Sequence, residues 1–459
     1  LLFRVGDFYE TFGSDAIKAA SILDIILTKR GAGSSSEIEL AGFPHHSLNN
    51  YLPKLVKAGC RVAICDQLED PKMTKKLVKR GVTELITPGV SLNDNVLETK
   101  KNNFLCGIIL GKINGISFLD ISTGQFLCAQ GDNEEILQLI QSFSPSEVLV
   151  SKPQKKLFND FLGTNYNSFF LEDWAFEYST AYEKLTKHFE TNSLQGFGIE
   201  KMDEAIKCSG AILNYLSDTH HNKLGHINAI NPIINKSYVW LDKFTIRNLE
   251  LFRPTHFEGV SLIDVIDKTK TAMGGRLLKR WIAFPLNKKS EIQNRHNSVK
   301  AFIENENCLE TVNNILIQIV DLERIMAKIA TEKITPRSLV QLKKSLNLIK
   351  PLKNELKSTK SKSLQLLSKK IVNSDNIVNI LTKTLNPEAP VLLNKGNIIA
   401  QGFSKELDNL RELKKSSKDY LDKMLLRETE KTKIPSLKIA FNNVFGYYFE
   451  VRNTHKDKV

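Results

Sequence analysis

The nine residues RVGDFYETF, Arg4 to Phe12, set an aromatic ring and a carboxylate two positions apart. On a β-strand alternate side chains share a face, so Phe8 and Glu10 would stand together with Arg4 and Gly6. The opposite face would carry Leu1, Phe3, Val5 and Tyr9, a core-like set broken only by Asp7. A ring beside an acid is a poor grip for phosphate, because the carboxylate repels it. It suits contact with bases. A phenyl ring stacks on a base, contributing about 1–3 kcal/mol, or wedges into a base step and kinks the duplex. A mispair has already lost stability and yields more readily than a Watson–Crick step, which gives discrimination by deformability. The carboxylate would accept a hydrogen bond from a base edge, or share a proton with a ring nitrogen once drying of the interface raises its pKa. A second reading stands beside this one. In it Phe8 packs under a neighbouring helix and Glu10 is solvated, or a bulge at Gly6 breaks the alternation.

Other chemistry is thin. CGIILGKI comes nearest to the phosphate-cradling pattern G-x-x-x-x-G-K-[ST]. Its first glycine is one position too close, and Lys112 precedes isoleucine, so it is not a P-loop. No nucleophile elbow, no H-E-x-x-H helix and no Cys/His cluster is present. His45-His46 and His220-His221 are sequence neighbours, which cannot both face one metal on a regular element. The β-meander followed by helices resembles a ribonuclease H-like topology, whose nucleases hold two metal ions with convergent carboxylates; Asp120 lies on a suitable strand and Glu147 begins a later one. A third and fourth acid are not evident.

The elements that would position the opening pair are mixed α/β. A strand is followed by a helix from near Ser14, with Ile17, Ala20, Leu23 and Leu27 on one stripe and Gly31 as its stop. The loop GAGSSSE, the helix HHSLNNYLPKLVKAG, the strand RVAICDQL, a basic loop PKMTKKLVKRG and the strand VTELITPGV complete this region. Near residue 101 two β-rich runs are divided by Asn114-Gly115, a hairpin signal. The helix NEEILQLIQSF and the strand SEVLVSK follow. From about 240 helical periodicity dominates. Residues Ser404 to Glu430 read as one long helix, with a broken seam of Phe403, Leu407, Leu410, Tyr420, Leu421, Met424 and Leu425. The last segment, SLKIAFNNVFGYYFEV, is β-rich with a turn near Asn442-Asn443.

A chain of 459 residues with 41% hydrophobic content holds several cores. No apolar run is long enough to cross a bilayer, and no signal-peptide pattern is present. The six cysteines give neither zinc spacing nor a disulfide framework, which points to a reducing, cytoplasmic setting. Beginning at Leu1 inside an apparent strand and ending in THKDKV, the chain reads as an internal piece of a longer protein. The net charge of +13 is unevenly spread. Residues 1–100 carry 13 basic and 12 acidic side chains, residues 336–394 carry 11 and 3, and residues 395–459 carry 14 and 9. The basic field lies in the last third, where a polyanion is the natural partner.

GDFYETF closely resembles the mismatch-reading signature of the bacterial MutS family, which initiates DNA mismatch repair. The likeness extends in order along the chain: AGFPHHSLNNYLPKLVKAGCRVAICDQLEDP, LDISTGQF, GFGIE, TAMGGRLLKRWIAFPL, DLERIMAKIA, GFSKELDNLRELKKSSKDYL and LKIAFNNVFGYYFEV. The resemblance implies a multidomain α/β plus α architecture. Residues 1–95 would be a mixed α/β mismatch-recognition domain and 101–235 a ribonuclease H-like connector without nuclease activity. Residues 240–420 would be a helical core with levers, and 421–459 the start of a β-rich clamp. It implies that Phe8 stacks on the mispaired base and Glu10 hydrogen-bonds it, with Gly6, Asp7 and Tyr9 in support. No catalytic or metal-binding residue is implied in this chain. The family's C-terminal ATPase domain, with its ATP and Mg²⁺, is absent from the sequence, so ATPase activity belongs to the intact protein. The partners implied are double-stranded DNA with mispairs or small loops, a second copy of the chain, and MutL, in the bacterial cytoplasm at the nucleoid. The alternative is a MutS relative that binds junctions or recombination intermediates. Members of that kind generally lack the Phe-x-Glu pair.

Overall fold

Alternation alone would make the opening segment one strand, but a glycine at a left-handed position splits it. In the computed structural model β1 (Leu2–Val5) turns through Gly6 and Asp7 into β2 (Phe8–Phe12). The structure describes residues 1–459 apart from 32, 34–36, 70–77, 235–237, 240, 257, 445 and 459, together with the backbone alone at 243 and 456–458. Residues 71–77 of the basic loop and part of GAGSSSE therefore lie outside the described residues.

The hairpin continues into α1 (Gly13–Leu23), β3 (Thr28–Arg30), β4 (Ile38–Pro44), α2 (Leu48–Lys57), β5 (Val62–Gln67) and β6 (Arg80–Ile86). The six strands form one sheet in the order β3-β4-β2-β1-β5-β6, with only β1 and β5 parallel. Antiparallel partners share a face, so pairing Arg4 with Tyr9 and Val5 with Phe8 reverses the phase expected for β1. Leu2, not Leu1, is buried, and it joins Tyr9, Phe43, Leu52 and Ile64 in the core under α1 and α2. The helix α1 also ends earlier than its stripe suggests. Asp24 adopts a left-handed C-cap, Leu27 is exposed, and Thr28–Arg30 join the sheet edge.

The second sheet comprises β7 (Leu105–Ile109), β8 (Asn114–Asp120), β9 (Gln125–Gly131), β10 (Glu147–Ser151), β11 (Ser168–Leu171) and β12 (Asn231–Pro232). Its order is β11-β10-β7-β8-β9-β12, with an antiparallel β7–β8–β9 meander flanked by parallel pairings. The helices α3 (Asn133–Phe143), α4 (Lys155–Leu162), α5 (Tyr178–Phe189) and α6 (Asp203–Asp218) cover it. α3 starts with a capping box, in which Asp132 accepts from the Glu135 backbone and Glu135 from the Asp132 backbone. Asn114-Gly115 is not the turn that the sequence suggests. It opens β8, and the turn lies at residues 110–113, where Gly111 N–H donates to Asn114 Oδ1 at 3.0 Å. Gly115 is required for a different reason: a Cβ there would meet Glu204 O at 2.3 Å, so the glycine admits α6 against the sheet.

The remaining helices are α7 (Lys243–Asn248), α8 (Leu262–Ile266), α9 (Ala272–Ala283), α10 (Lys289–Ile303), α11 (Glu306–Leu316), α12 (Leu322–Ala330), α13 (Pro336–Ser358) and α14 (Lys362–Lys370). Cys308, Val312, Ile315, Leu352, Leu356 and Leu364 make a separate small core among them. The chain divides into two compact units, residues 1–334 with 344–374, and residues 335–343 with 375–459. The second holds α15 (Asp375–Thr384), α16 (Lys405–Thr432), β13 (Lys438–Asn442) and β14 (Gly446–Glu450). Its core is slight, with Val340, Leu385 and Ala389 buried. The Ser404 hydroxyl caps α16 by accepting from Leu407 N–H. No described residue of α16 is buried, and along the expected seam Leu410 and Tyr420 face solvent.

Candidate nucleic-acid interface

Phe8 opens β2 directly after the turn. Gly6, the first central residue of that two-residue turn, has φ +55°, the position where tight hairpin turns call for glycine. The tip is tied from both sides. Arg4 Nε donates to Gly6 O at 2.7 Å, and His45 N–H donates to Asp7 O at 2.8 Å, with His45 Nδ1 3.0 Å from the same oxygen. Phe8 itself is 47% exposed.

Below the tip the chain is anchored in the core. Tyr9 is buried and its hydroxyl donates to Asp66 Oδ2 at 2.8 Å. Burial and the Asp66 carboxylate push the Tyr9 phenol up to about 12, so it stays neutral. Asp66 also accepts from Gln67 N–H at 2.8 Å and lies 3.4 Å from Arg4. The register puts Phe3, Val5, Phe8, Glu10 and Phe12 on the sheet face away from α1 and α2. Glu10 lies opposite Gly42, where an added Cβ would sit 2.9 Å from Tyr9 O and 3.4 Å from Glu10 Cγ. The missing side chain leaves the surface beside the carboxylate clear. Arg30, 3.8 Å from Glu10, lies over the Phe12 ring, and Arg80 lies over the Phe3 ring. The result is an apolar strip carrying one carboxylate, with guanidinium groups on two of its rings.

All five residues singled out from the sequence thus fall in one hairpin: Gly6 and Asp7 in the turn, Phe8 and Glu10 on the outward face, Tyr9 in the core. Sequence reasoning missed Arg4 and His45, which hold the tip. His45 was one half of a histidine pair with no assigned use. A Gly-Asp turn between two alternating runs was the signal that could have found the hairpin.

Asp120 and Glu147 are consumed by structure. Asp120 is fully buried, and its oxygens accept from Ser122 N–H and hydroxyl, Asn102 Nδ2 and Asn103 N–H. Glu147 accepts from the Thr87 hydroxyl, Gly89 N–H at 3.0 Å and the Tyr215 hydroxyl at 2.6 Å. Among the described residues no group of three or more His, Cys, Asp or Glu is placed to hold a metal ion, and no helix is long and apolar enough to cross a membrane. In the second unit, Phe441, Tyr420 and Tyr447 are exposed, with the Phe441 and Tyr447 rings 5.0 Å apart. They share the surface with the many lysines of α16.

Comparison with known proteins gives a consistent answer along the chain. Residues 1–95 match the family model for MutS domain I, residues 103–228 that for MutS domain II, and residues 244–444 that for MutS domain III. The chain belongs to the MutS family. It is 56% identical over its whole length to a DNA mismatch repair protein MutS from Christiangramia forsetii and to another from Flavobacterium psychrophilum. A third, from Bacteroides fragilis, is 51% identical, again over the whole chain. In each case the match covers 53% of the relative, so this chain spans about half the length of the curated MutS proteins it matches.

Proposed function

We propose that this chain reads mispaired or unpaired bases in duplex DNA by inserting Phe8 as a stacking wedge while Glu10 hydrogen-bonds the displaced base. The observation that carries the reading is the hairpin. Phe8 stands half-exposed at its tip, Glu10 follows on the same face, and Tyr9 between them is locked into the core. A wedge must not retract when pushed into a base stack, and the ties from Arg4 and His45 resist that. The low net charge of the first 100 residues suits a probe of bases rather than of backbone. The surplus of lysine beyond residue 335 and the exposed tyrosines of α16 and β14 suit a phosphate-holding surface. In the full-length protein this module works with an ATP- and Mg²⁺-dependent domain, as a homodimer that recruits MutL.

The test is a titration of the full-length protein, at one fixed salt concentration, against a G·T duplex and its fully paired counterpart. Loss of one stacked ring, about 1–3 kcal/mol, makes Phe8→Ala lose roughly 5- to 150-fold of mismatch affinity while weak binding to paired DNA persists. Unchanged mismatch preference in Phe8→Ala overturns the wedge.

A further inference from the structure

Within the first unit a recess of about 1140 Å³ opens where α9 faces the end of α2 and the end of α3. One face of α9 lines it, with Arg276, Lys279, Arg280 and Ala283 at helical spacing. Lys57, from the end of α2, and Arg253 complete its basic lining.

The acids of this recess are already engaged. Asp264 accepts from Ser261 N–H and hydroxyl, Asp267 from Lys100 and Thr269, and Glu98 pairs with Lys101 at 2.5 Å. Arg276 is held by Asp321 and Glu323. Among the described residues the side chains of Lys57, Arg253, Lys279 and Arg280 have neither an ion pair nor a hydrogen bond. Burial and the nearby Lys101 ammonium pull Lys279 below the usual lysine range. Of the three carboxylates in the lining, Asp267 and Glu98 are paired with Lys100 and Lys101, which leaves Asp264 as the one counter-charge to these four unpaired cations. A surplus of positive charge round a concavity raises the local concentration of anions. The Ser142 hydroxyl, a buried group of the lining with no hydrogen-bond partner, supplies a neutral donor.

We propose that this recess binds a small multivalent phosphate anion, held by Lys279 and Arg280 of α9 with Lys57 and Arg253 opposite. The site is separate from the Phe8 hairpin and does not depend on the mismatch reading. An anion there would tie α9 to the end of α2 and hold the first sheet against the helical region.

The probe is sodium pyrophosphate, titrated by calorimetry into the 459-residue chain at constant ionic strength set with chloride. This sequence has no G-x-x-x-x-G-K-[ST] loop, so saturable binding does not come from one. The expected result is one site per chain, weakened at least tenfold in Lys279→Gln/Arg280→Gln, with a rise in melting temperature on adding pyrophosphate only in the wild type. If that double variant does not fold, Lys57→Gln and Arg253→Gln, on flexible surface side chains, are each expected to weaken binding several-fold. No saturable pyrophosphate binding, or equal binding by the variants, overturns the proposal. Displacement of pyrophosphate by a short paired DNA duplex would assign these cations to the DNA backbone and overturn it equally.

Discussion

Replacing Arg276 with alanine is expected to cost about 3 kcal/mol of stability. Its guanidinium is 2% exposed and donates to both Asp321 oxygens at 2.7 Å, to Glu323 at 2.7 and 3.2 Å, and to Thr99 O at 2.9 Å. The contributions differ. Glu323 is 48% exposed and loses little when released into water. Asp321 is 19% exposed and cannot be fully rehydrated; removal of one partner from such a pair typically costs about 3–5 kcal/mol. Asp321 keeps its cap to Arg324 N–H at 3.3 Å, which places the figure at the lower end. The Thr99 carbonyl also loses a donor, which frees the segment leading from the first sheet to the second. The assay is equilibrium urea unfolding followed by tryptophan fluorescence, where Trp281 on the same helix reports locally. With a slope of about 2–3 kcal/mol per molar, the midpoint falls by roughly 1 M. Arg276→Ala/Asp321→Ala completes a double-mutant cycle whose coupling is expected at about 2 kcal/mol. A single-variant loss under about 1 kcal/mol, or coupling near zero, would refute the claim that this pair holds the region together.

Glu84 supplies a pH-dependent prediction. Although burial opposes ionisation, His221 Nε2 at 3.2 Å and the Lys333 ammonium at 2.5 Å bring its carboxyl down to about 2. A depressed carboxyl stabilises the fold above its unfolded value, near 4.5, and that stability fades as pH falls toward 2. Lys333 is 43% exposed, which limits the effect to roughly 2 kcal/mol. Glu84→Gln should therefore flatten the acid limb of the melting curve and leave its slope above pH 5 unchanged; an identical acid limb counts against the triad. Two glycines separate backbone conformation from crowding. At Gly6 a Cβ meets nothing within 4 Å, so Gly6→Ala costs only its left-handed backbone, about 1 kcal/mol. At Gly115 it collides with the Glu204 backbone, so Gly115→Ala should melt far lower than Gly6→Ala. Equal melting temperatures would contradict that ordering.

What the sequence revealed followed distance along the chain. The phase of β2 was legible because Tyr9, Thr11 and their neighbours alternate over a short run. α3 was legible because the apolar residues of NEEILQLIQSF recur at helical spacing. β1 was misphased because the alternation of Leu1, Phe3 and Val5 continues across Gly6 as though no turn intervened. Asn114-Gly115 imitated a turn because glycine serves sharp turns and close approaches alike, and only the position of α6 separates the two. Arg276 could not be read at all. Its partners lie at Thr99, Asp321 and Glu323, and no local pattern announces that three segments meet there. The same holds for Arg61, whose guanidinium carbon sits 3.4 Å from the centre of the Phe169 ring.

The β1–β2 hairpin carries a consequence for descent. A strand presents its side chains alternately, so one residue added between Phe8 and Tyr9 would turn the ring inward as long as Tyr9 keeps its place in the core. Two residues restore the face but lengthen the finger by about 7 Å. Inherited change in this stretch is therefore confined to substitutions in place and to paired insertions. A lineage that altered the length by one residue would lose the exposed ring at a stroke, with no gradual path through intermediates.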